Sequence, residues 1–301
     1  MSDYHRRMHR PRLSVLVLLA LAGTSCFWSD ARQDDVPPPS PSGEAELEIR
    51  AVDVGGYELY LQCIGQGSPT VILEAGYGAS GTSAWFQFQE LTTGVTRVCS
   101  YDRAGLGLSD RRPAREDPLT VTRMAEDLHA LLEGAGEEPP YVLVGHSFGG
   151  LVVQSFAEVY PDEVDGMVLE ESNQVDEIEA YRRAEAGAWI EADVRIDMGA
   201  TEELLGDPAG LGDRPLVVVT AGIYEDVLDP DLVLRLQRRL AGLSDAVVHV
   251  LAEGSGHFVH DLNPPLMAQA MFEVVEAVRG DGTLPPCRAT FTELGGRCLE
   301  G

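Results

Sequence analysis

The sequence has few basic residues and lacks the motifs of several common ligand-binding classes. It contains 22 lysine and arginine residues against 49 aspartate and glutamate residues, and its formal net charge is −27 at pH 7. This imbalance argues against nucleic-acid binding and against attraction to anionic membranes. The five cysteines are isolated and form no C-x-x-C pair that would indicate a zinc site. No dinucleotide loop, phosphate loop or internal repeat is present, so we expect neither a cofactor nor a metal.

An apolar run near the N-terminus follows a basic segment and is too short to cross a bilayer comfortably. This pattern is typical of an export signal, which we assign to residues 1–26. Cleavage after Ala22 and lipoprotein processing at Cys26 are alternatives, because Gly23 stands where a lipoprotein signal prefers an aliphatic residue. Residues 27–43 are rich in proline and serine, which predicts a disordered tether. The protein is therefore expected to be exported, either secreted or anchored to a membrane through a lipid.

Strand and helix patterns alternate between residues 44 and 280, and 44% of the whole sequence is hydrophobic. The alternation predicts one α/β domain with a mostly parallel central sheet and helices on both faces. The acidic segment 174–212 interrupts the alternation and predicts an insertion of one or two amphipathic helices. Residues 281–301 form a C-terminal tail, in which Cys287 and Cys298 bracket a short loop and favour a disulfide, although the four cysteines other than Cys26 allow three pairings.

The pattern G-x-S-x-G at residues 145–149 follows the apolar strand Tyr141–Val144 and precedes a helical stretch. A serine in a sharp strand-to-helix turn adopts a strained backbone, and the flanking glycines avoid collisions with neighbouring segments. We therefore expect Ser147 to be a nucleophile. The N–H of Phe148, at the start of the helix, would face the carbonyl oxygen under attack as an oxyanion-hole donor.

Two histidines follow the apolar strand Val247–Leu251 on a loop of small residues. A serine hydroxyl is a poor nucleophile without a base within hydrogen-bond reach, and we expect His257 to be that base. His260 is the alternative, but its position better suits the start of the last helix or a contact with the insertion.

The acid that orients His257 has two candidates. Glu171 comes directly after the strand Val164–Leu169, at the sheet edge where a carboxylate would be needed. Asp226 lies further along a loop after the strand that starts at Pro215. We favour Glu171 and keep Asp226 as the alternative acid.

Together these segments resemble the α/β-hydrolase fold superfamily, in particular its serine esterase and lipase-like members, over Leu47 to Arg279. Val71–Gly78 occupies the place of the family's oxyanion loop, although Ala75 stands where the family usually has histidine. The segment Tyr101–Ser109 resembles the family's D-x-R-G-x-G-x-S motif, and Gly256–Phe258 resembles its histidine loop.

The resemblance implies an exported enzyme that hydrolyses a carboxylic ester or related small acyl compound through an acyl-enzyme on Ser147, without a cofactor. It implies that the backbone N–H of Tyr77 is the second oxyanion donor and that residues 174–212 form a small helical cap over the site. The strands that carry Cys63 and Cys99 would be neighbours, which makes a disulfide between them feasible. Proline-type aminopeptidase, lactonase and acyltransferase activities are alternatives on the same scaffold. A surface binding protein without catalytic activity is the alternative from a different class.

Overall fold

The computed structural model describes residues 47–113, 118–176, 189–223 and 230–299. Its main sheet has strands that end next to the segments with the candidate site residues. All of these residues belong to the unit Gly43–Gly301. The strands of this sheet are β1 (Leu47–Asp53), β2 (Glu58–Ile64), β3 (Thr70–Glu74), β4 (Val98–Tyr101), β5 (Tyr141–His146), β6 (Val164–Glu170), β9 (Leu216–Ala221), β10 (Val247–Ala252) and β11 (Gly296–Leu299). A separate hairpin consists of β7 (Ile190–Glu191) and β8 (Val194–Arg195).

Helices connect these strands. The α-helices of the described residues are α1 (Gly81–Ala84), α2 (Phe86–Leu91), α3 (Val121–Ala135), α4 (Phe148–Val159), α5 (Met198–Leu205), α6 (Pro230–Ala241), α7 (Val259–Leu262), α8 (Pro264–Arg279) and α9 (Cys287–Phe291). Short 3₁₀ turns lie at Pro161–Glu163 and Thr292–Leu294.

The strand order in the sheet is β1-β2-β4-β3-β5-β6-β9-β10-β11. The six strands from β4 to β10 in that order run parallel to one another, and β1, β2 and β11 add antiparallel pairings at the two sides. The fold is therefore the mostly parallel α/β sheet that the sequence predicts. Since the carboxyl ends of parallel strands meet at one edge, the loops after β3, β5, β6, β9 and β10 lie along the same edge.

Local sequence explains why the longer helices begin and end where they do. Helix α3 begins after Thr120, whose side chain accepts a hydrogen bond from the Arg123 N–H, and it ends at Gly136, which has a positive φ of 72°. Helix α8 begins with Pro264 after Asn263, whose side chain accepts from the Leu266 N–H. These caps satisfy backbone groups that a helix end otherwise leaves without a partner.

Both faces of the sheet are covered by buried apolar side chains. One cluster packs helices α3 and α4 against the sheet through residues such as Leu128 and Phe156, and another packs α8 through residues such as Met271. A third cluster lies between α4 and the insertion and includes Leu151, Ile196 and Met198. The insertion is therefore attached to the helix that follows Ser147.

The insertion differs from the prediction in its described part. Residues 190–195 form the β7–β8 hairpin, which was not predicted, whereas α5 is a helix of the expected kind. The rest of the predicted insertion, residues 177–188, lies outside the described residues, as do the predicted signal and tether at residues 1–43.

Both expected disulfides are present, between Cys63 and Cys99 and between Cys287 and Cys298. The first joins directly paired positions of β2 and β4. The second ties α9 to β11, a strand of the tail that the sequence analysis did not anticipate and that pairs with β10. Among the described residues, no helix has both the length and the apolar character needed to span a membrane.

Candidate active site

Ser147 lies in a sharp turn between the carboxyl end of β5 and the first residue of α4. Its φ of 53° and ψ of −122° are rarely adopted by residues other than glycine, so the backbone is strained here. A Cβ atom on Gly145 would lie 2.6 Å from Val153 Cγ2. A Cβ atom on Gly149 would lie 2.5 Å from the carbonyl oxygen of Ala75. Only glycine fits at these two positions, which is the physical reason for the G-x-S-x-G pattern.

Backbone hydrogen bonds tie this turn to the end of β6. The Ser147 N–H donates to the carbonyl of Glu170 at 3.0 Å, and the Asn173 N–H donates to the carbonyl of Ser147 at 3.0 Å. The Gly150 N–H donates to the same Ser147 carbonyl, also at 3.0 Å. The strained conformation is therefore held from two sides, by α4 and by the residues that follow β6.

The structure brings Glu171 and His257 together. Oε2 of Glu171 lies 3.5 Å from Nδ1 of His257, and the Glu171 side chain is 5% exposed whereas that of His257 is 45% exposed. Oε1 of Glu171 accepts a hydrogen bond of 2.7 Å from the Ala221 N–H at the end of β9. The backbone φ of Glu171 is 44°, an unusual value for a residue with a side chain. A fixed carboxylate is thus held beside a solvent-accessible imidazole.

The other two candidates of the sequence analysis have different positions. Asp226, the alternative acid, lies outside the described residues. His260, the alternative base, is buried at the start of α7, where its Nδ1 lies 2.8 Å from both carboxylate oxygens of Glu170. His260 is therefore occupied by a different partner, which favours His257 as the accessible histidine of this loop.

The loop after β3 borders the Ser147 turn. A Cβ atom on Gly76 would lie 3.5 Å from Cβ of Ser147. The carbonyl of Gly76 accepts a hydrogen bond of 2.8 Å from Nη2 of Arg103. Because the carbonyl and the next N–H of a trans peptide point in opposite directions, the N–H of Tyr77 points away from Arg103. Phe148, the first residue of α4, carries one of the N–H groups that a helix leaves without an intrahelical acceptor.

Arg103 uses its guanidinium group to hold the loop after β3 in place. Nη1 donates to Oε1 of Glu74 at 2.5 Å and to the Ala75 carbonyl at 2.7 Å. Nη2 and Nε donate to the two carboxylate oxygens of Glu191 at 2.6 and 2.9 Å. With the Gly76 contact, these bonds account for all five N–H donors of an arginine. Arg103 thereby joins β3, its loop and the β7–β8 hairpin in one buried network.

The two carboxylates of this network have different electrostatic environments. Burial raises the pKa of Glu74, even though Arg103 and the hydroxyl of Tyr101 favour its charged form. Burial also disfavours the charged form of Glu191, but the Arg103 charge and hydrogen bonds outweigh burial and lower its pKa. Glu191 is therefore the firmly ionised partner of Arg103, and its Oε1 also accepts from the Gly78 N–H at 2.9 Å.

Asp102, the neighbour of Arg103 in the sequence motif, has a separate structural role. Its carboxylate accepts hydrogen bonds from the hydroxyls of Ser80 and Thr82, at 2.7 and 2.9 Å, and from the Leu108 N–H at 2.9 Å. These bonds fold the D-x-R-G-x-G-x-S segment onto α1. The segment Asp102–Ser109 thus provides two supports: Asp102 holds loops, and Arg103, at a variable position of the motif, holds the loop that borders the Ser147 turn.

An aromatic cluster lies beside the turn. The Tyr77 ring packs edge-on against Phe148 and Trp189, with ring centroids 5.8 and 5.0 Å away. Phe148 and Trp189 stack on each other at 5.6 Å. Tyr77 is 42% exposed whereas Phe148 is fully buried, so the cluster reaches solvent at its Tyr77 end.

Two groups of side chains in the described part of the chain have the composition of a metal site. Each group offers donor atoms that lie within 4.8 Å of one another. In one group Cys63 and Cys99 are joined in a disulfide and have no free thiolate. In the other, Glu170 and His260 hydrogen-bond to each other, and Nε2 of His146 lies 2.9 Å from the carbonyl oxygen of His257. In this structure the donor atoms of the second group are thus engaged in hydrogen bonds within the protein.

Sequence reasoning missed Glu74, Glu191, Glu170 and His146 as residues around this site. One signal was available for two of them, because Glu74 and Glu170 are the charged last residues of strands that are otherwise almost wholly buried. A carboxylate at the carboxyl end of a buried strand has to be paired or hydrogen-bonded.

Known proteins are similar to this chain over different lengths. A family model described as alpha/beta hydrolase fold matches residues 69–209. The protein YqjL of Bacillus subtilis, which is uncharacterized, is 25% identical over 218 residues that cover 70% of this chain and 85% of YqjL. The protein efuK of Hormonema carpetanum, named as a probable transporter, is 33% identical over 133 residues, and the match spans 43% of this chain but only 19% of efuK.

Solved structures with low sequence identity share the fold. A thermophilic esterase from Thermogutta terrifontis superposes with a TM-score of 0.58 at 20% identity, covering 78% of this chain and 99% of the esterase. At this identity the likeness concerns the fold alone. The family match over residues 69–209, the sheet order and the strand-to-helix turn at Ser147 agree with one another, and the chain has the α/β-hydrolase fold.

Proposed function

We propose that the protein is a serine hydrolase that cleaves a carboxylic ester or a related acyl compound through an acyl-enzyme on Ser147. The observation that carries this proposal is the strained turn that holds Ser147 at a φ of 53° between β5 and α4. Backbone strain of this kind persists only where the surrounding structure enforces it, and it is concentrated at functional sites.

In the proposed mechanism, Oγ of Ser147 attacks the substrate carbonyl while His257 accepts the hydroxyl proton. His257 then donates this proton to the leaving alcohol, and an acyl-enzyme remains on Ser147. A water molecule attacks the acyl-enzyme with His257 again as general base, which releases the acid and restores the serine. Glu171 would accept a hydrogen bond from Nδ1–H of His257, keep its tautomer and stabilise the imidazolium.

The backbone N–H groups of Phe148 and Tyr77 are the proposed donors to the oxyanion. The direction of the Gly76 carbonyl supports this assignment for Tyr77, because it turns the Tyr77 N–H away from Arg103. Donors that are already oriented stabilise the developing charge without reorganisation, and each typically contributes about 10²–10³ in rate. Ala75 in place of the usual histidine does not affect a donor of the main chain.

The surroundings of His257 favour a neutral substrate with an apolar group. Ile223 and Phe258 are each 51% exposed, and Leu262 is 62% exposed. The Phe258 ring lies 5.2 Å from the His257 ring, and a Cβ atom on Gly256 would lie 3.7 Å from Cδ1 of Leu262. Exposed apolar side chains that cluster in this way commonly mark a ligand site. The net charge of −27 would in addition repel anionic substrates.

The test is the reaction of the purified protein with a fluorophosphonate probe and with a series of short- and long-chain nitrophenyl esters, alongside Ser147→Ala. We expect labelling and hydrolysis by the wild type and loss of both in Ser147→Ala. Hydrolysis retained by Ser147→Ala would contradict the proposal. A folded wild type that neither reacts with the probe nor turns over any ester would favour the binding-protein alternative.

We also infer that the hydrolase is exported, from the signal-like pattern of residues 1–26. Two disulfides in the domain support an oxidising compartment. Lipidation at Cys26 would anchor the protein, with residues 27–43 as a tether. Cell fractionation of the wild type and Cys26→Ser tests both points, since an anchored lipoprotein moves from the membrane to the soluble fraction in the variant. A protein found in the cytoplasm would contradict export.

A further inference from the structure

A buried network of His146, Glu170 and His260 lies against the His257 loop and has no part in the proposed chemistry. Nδ1 of His260 is 2.8 Å from both carboxylate oxygens of Glu170, and the His260 N–H donates to Oε1 at 2.8 Å. The side chains of Glu170 and His260 are 0% and 3% exposed. The Trp85 ring packs on His260 with ring centroids 4.3 Å apart. This end of the loop is thus fixed by three hydrogen-bond contacts and by packing.

His146 holds the loop at His257 itself. Its Nε2 lies 2.9 Å from the carbonyl oxygen of His257. Burial lowers the pKa of His146 to about 4, so the ring is neutral near pH 7 and carries one N–H. A carbonyl can only accept, and the proton is therefore assigned to Nε2. His146 precedes Ser147 directly in the chain, so this bond links the nucleophile turn to the main chain of His257.

The end of β6 supplies a carboxylate to each of two histidines. Glu170, the last residue of β6, pairs with His260, and Glu171, the next residue, lies beside His257. Strand β6 ends at Glu170, and Glu171 follows with a positive φ of 44°. Burial disfavours the charged form of both Glu170 and His260, but the charge and hydrogen bonds of Glu170 together raise the pKa of His260, and the charges of His260 and His146 with the His260 hydrogen bonds lower the pKa of Glu170. Each member of the buried pair therefore favours the charged form of the other.

We propose that His146, Glu170 and His260 are positioning residues that fix the chain on both sides of the His257–Val259 segment, at the His257 carbonyl and at residue 260, and so set the place of the His257 ring relative to Glu171 and Ser147. This inference rests on the proposed function, in which His257 transfers the proton. His257 is 45% exposed, so packing around its ring restrains it little. The restraint comes instead from its own carbonyl and from a buried residue three positions further on.

A double-mutant cycle on the full-length protein tests this. The variants are Glu170→Gln, His257→Ala and the double variant, measured as kcat and KM for a nitrophenyl ester. We expect Glu170→Gln to lower kcat roughly 10- to 100-fold with little change in KM, because a displacement of about 1 Å of a reacting group can lower the rate about 100-fold. In the His257→Ala background, Glu170→Gln should lower kcat by less than about twofold, since its effect acts through His257.

The matched control is Glu137→Gln, which removes another buried carboxylate, paired with Arg97 at 2.8 Å and away from the Ser147 turn. It should leave kcat unchanged. If Glu170→Gln does not fold, His260→Gln, which changes the other partner of the same hydrogen-bonded pair, is measured in its place. The inference is overturned if Glu170→Gln lowers kcat equally with and without His257, or no more than Glu137→Gln does. If the wild type neither hydrolyses esters nor reacts with a fluorophosphonate, the proposed function fails and this inference fails with it. If the wild type is reactive and Glu170→Gln is fully active, only the inference is overturned.

Discussion

The side-chain hydroxyl of Tyr77 bonds to both backbone groups of Ile190. It accepts a hydrogen bond of 2.8 Å from the Ile190 N–H and donates to the Ile190 carbonyl. The loop that borders the Ser147 turn is thereby attached to the β7–β8 hairpin of the insertion. Glu191, the next residue, makes a second attachment through Arg103 and the Gly78 N–H. The β7–β8 hairpin of the insertion and the proposed oxyanion loop are therefore held together by hydrogen bonds at both Ile190 and Glu191.

Tyr77→Phe should weaken this attachment and leave the backbone donor in place. We expect kcat/KM to fall by up to about 30-fold, since an intramolecular hydrogen bond contributes about 1 kcal/mol, two are lost, and about 1.4 kcal/mol is a factor of ten. The measurement is ester hydrolysis together with thermal unfolding. Tyr141→Phe is the control, because the Tyr141 hydroxyl donates to the Glu137 carbonyl at 2.8 Å, at the other end of β5. Equal activity losses in the two variants would contradict the prediction.

Glu171→Gln should lower kcat by about 10²–10⁴, because an amide beside Nδ1 of His257 no longer selects the tautomer that a general base needs. Steady-state kinetics on a nitrophenyl ester measure this, with Glu137→Gln as a matched substitution of another buried glutamate. A near-normal rate in Glu171→Gln would move the role of the acid to Asp226.

Arg103→Lys should lower both stability and activity, although the charge is kept. An ammonium group lacks the planar fork that reaches Glu74, Glu191 and two carbonyls at once. We expect a loss of about 3–5 kcal/mol in the free energy of unfolding, as for other broken buried ion pairs, and at least a tenfold loss in kcat. Urea unfolding and ester hydrolysis check the two effects.

Arg97→Lys is the matched control for Arg103→Lys. Arg97 makes a two-pronged contact with Glu137 at 2.8 Å for each bond and also binds Glu48, away from the Ser147 turn. This variant should lose stability but keep its kcat. A fully active Arg103→Lys would show that the guanidinium is not needed to hold the loop after β3.

The free energy of unfolding should decrease as the pH is lowered below about 6.5, because the fold buries neutral histidines. Burial lowers the pKa of His249 to about 4, whereas a histidine in the unfolded chain titrates near 6.5. Between these values the unfolded state binds more protons, so acid favours unfolding. His260, whose pKa is raised, contributes stability that is fully present below 6.5 and therefore does not alter the slope in this range.

His249→Gln isolates this effect, because glutamine can keep the 2.8 Å hydrogen bond to the Thr220 hydroxyl without titrating. Between pH 7 and pH 5 the wild type should lose about 2 kcal/mol more than the variant in the free energy of unfolding, from a 1.5-unit interval at about 1.4 kcal/mol per unit. Urea titrations at several pH values measure the difference. Parallel curves for the two proteins would refute the assignment.

The parts of the site that depend on local sequence could be predicted. The Ser147 turn is encoded by glycines whose replacement would collide with neighbouring atoms, and the strands around it are apolar runs that a buried parallel sheet requires. The position of Glu171 directly after its strand also indicated its place at the sheet edge. The loop position of His257 was predictable as a pattern, although its distance from Glu171 was not.

The hairpin in the insertion was not predictable for a physical reason. Its turn residues Ala192 and Asp193 have positive φ values of 50° and 67°. Turns of this kind usually contain glycine or asparagine, and alanine gives no such signal. The segment therefore appeared helical from its composition, and tertiary contacts such as Arg103 with Glu191, 88 residues apart, decide its conformation.

The pairing of Glu170 with His260 could not be predicted from the sequence either. Two consecutive glutamates after a strand look equivalent, and nothing in their local sequence indicates that Glu170 pairs with His260 whereas Glu171 lies beside His257. The partners of Arg103 could not be predicted either, because they lie on distant segments that only the assembled fold brings together.

Strand β11 covers the outer side of β10, the strand that leads to the His257 loop. An uncovered β10 would present a row of backbone donors and acceptors with which a second molecule could pair, and such edges are a common start of aggregation. The Cys287–Cys298 bond keeps this cover attached. Under reducing conditions we therefore expect self-association as well as lower stability. The tail thus protects the β10 side of the sheet from pairing with another molecule.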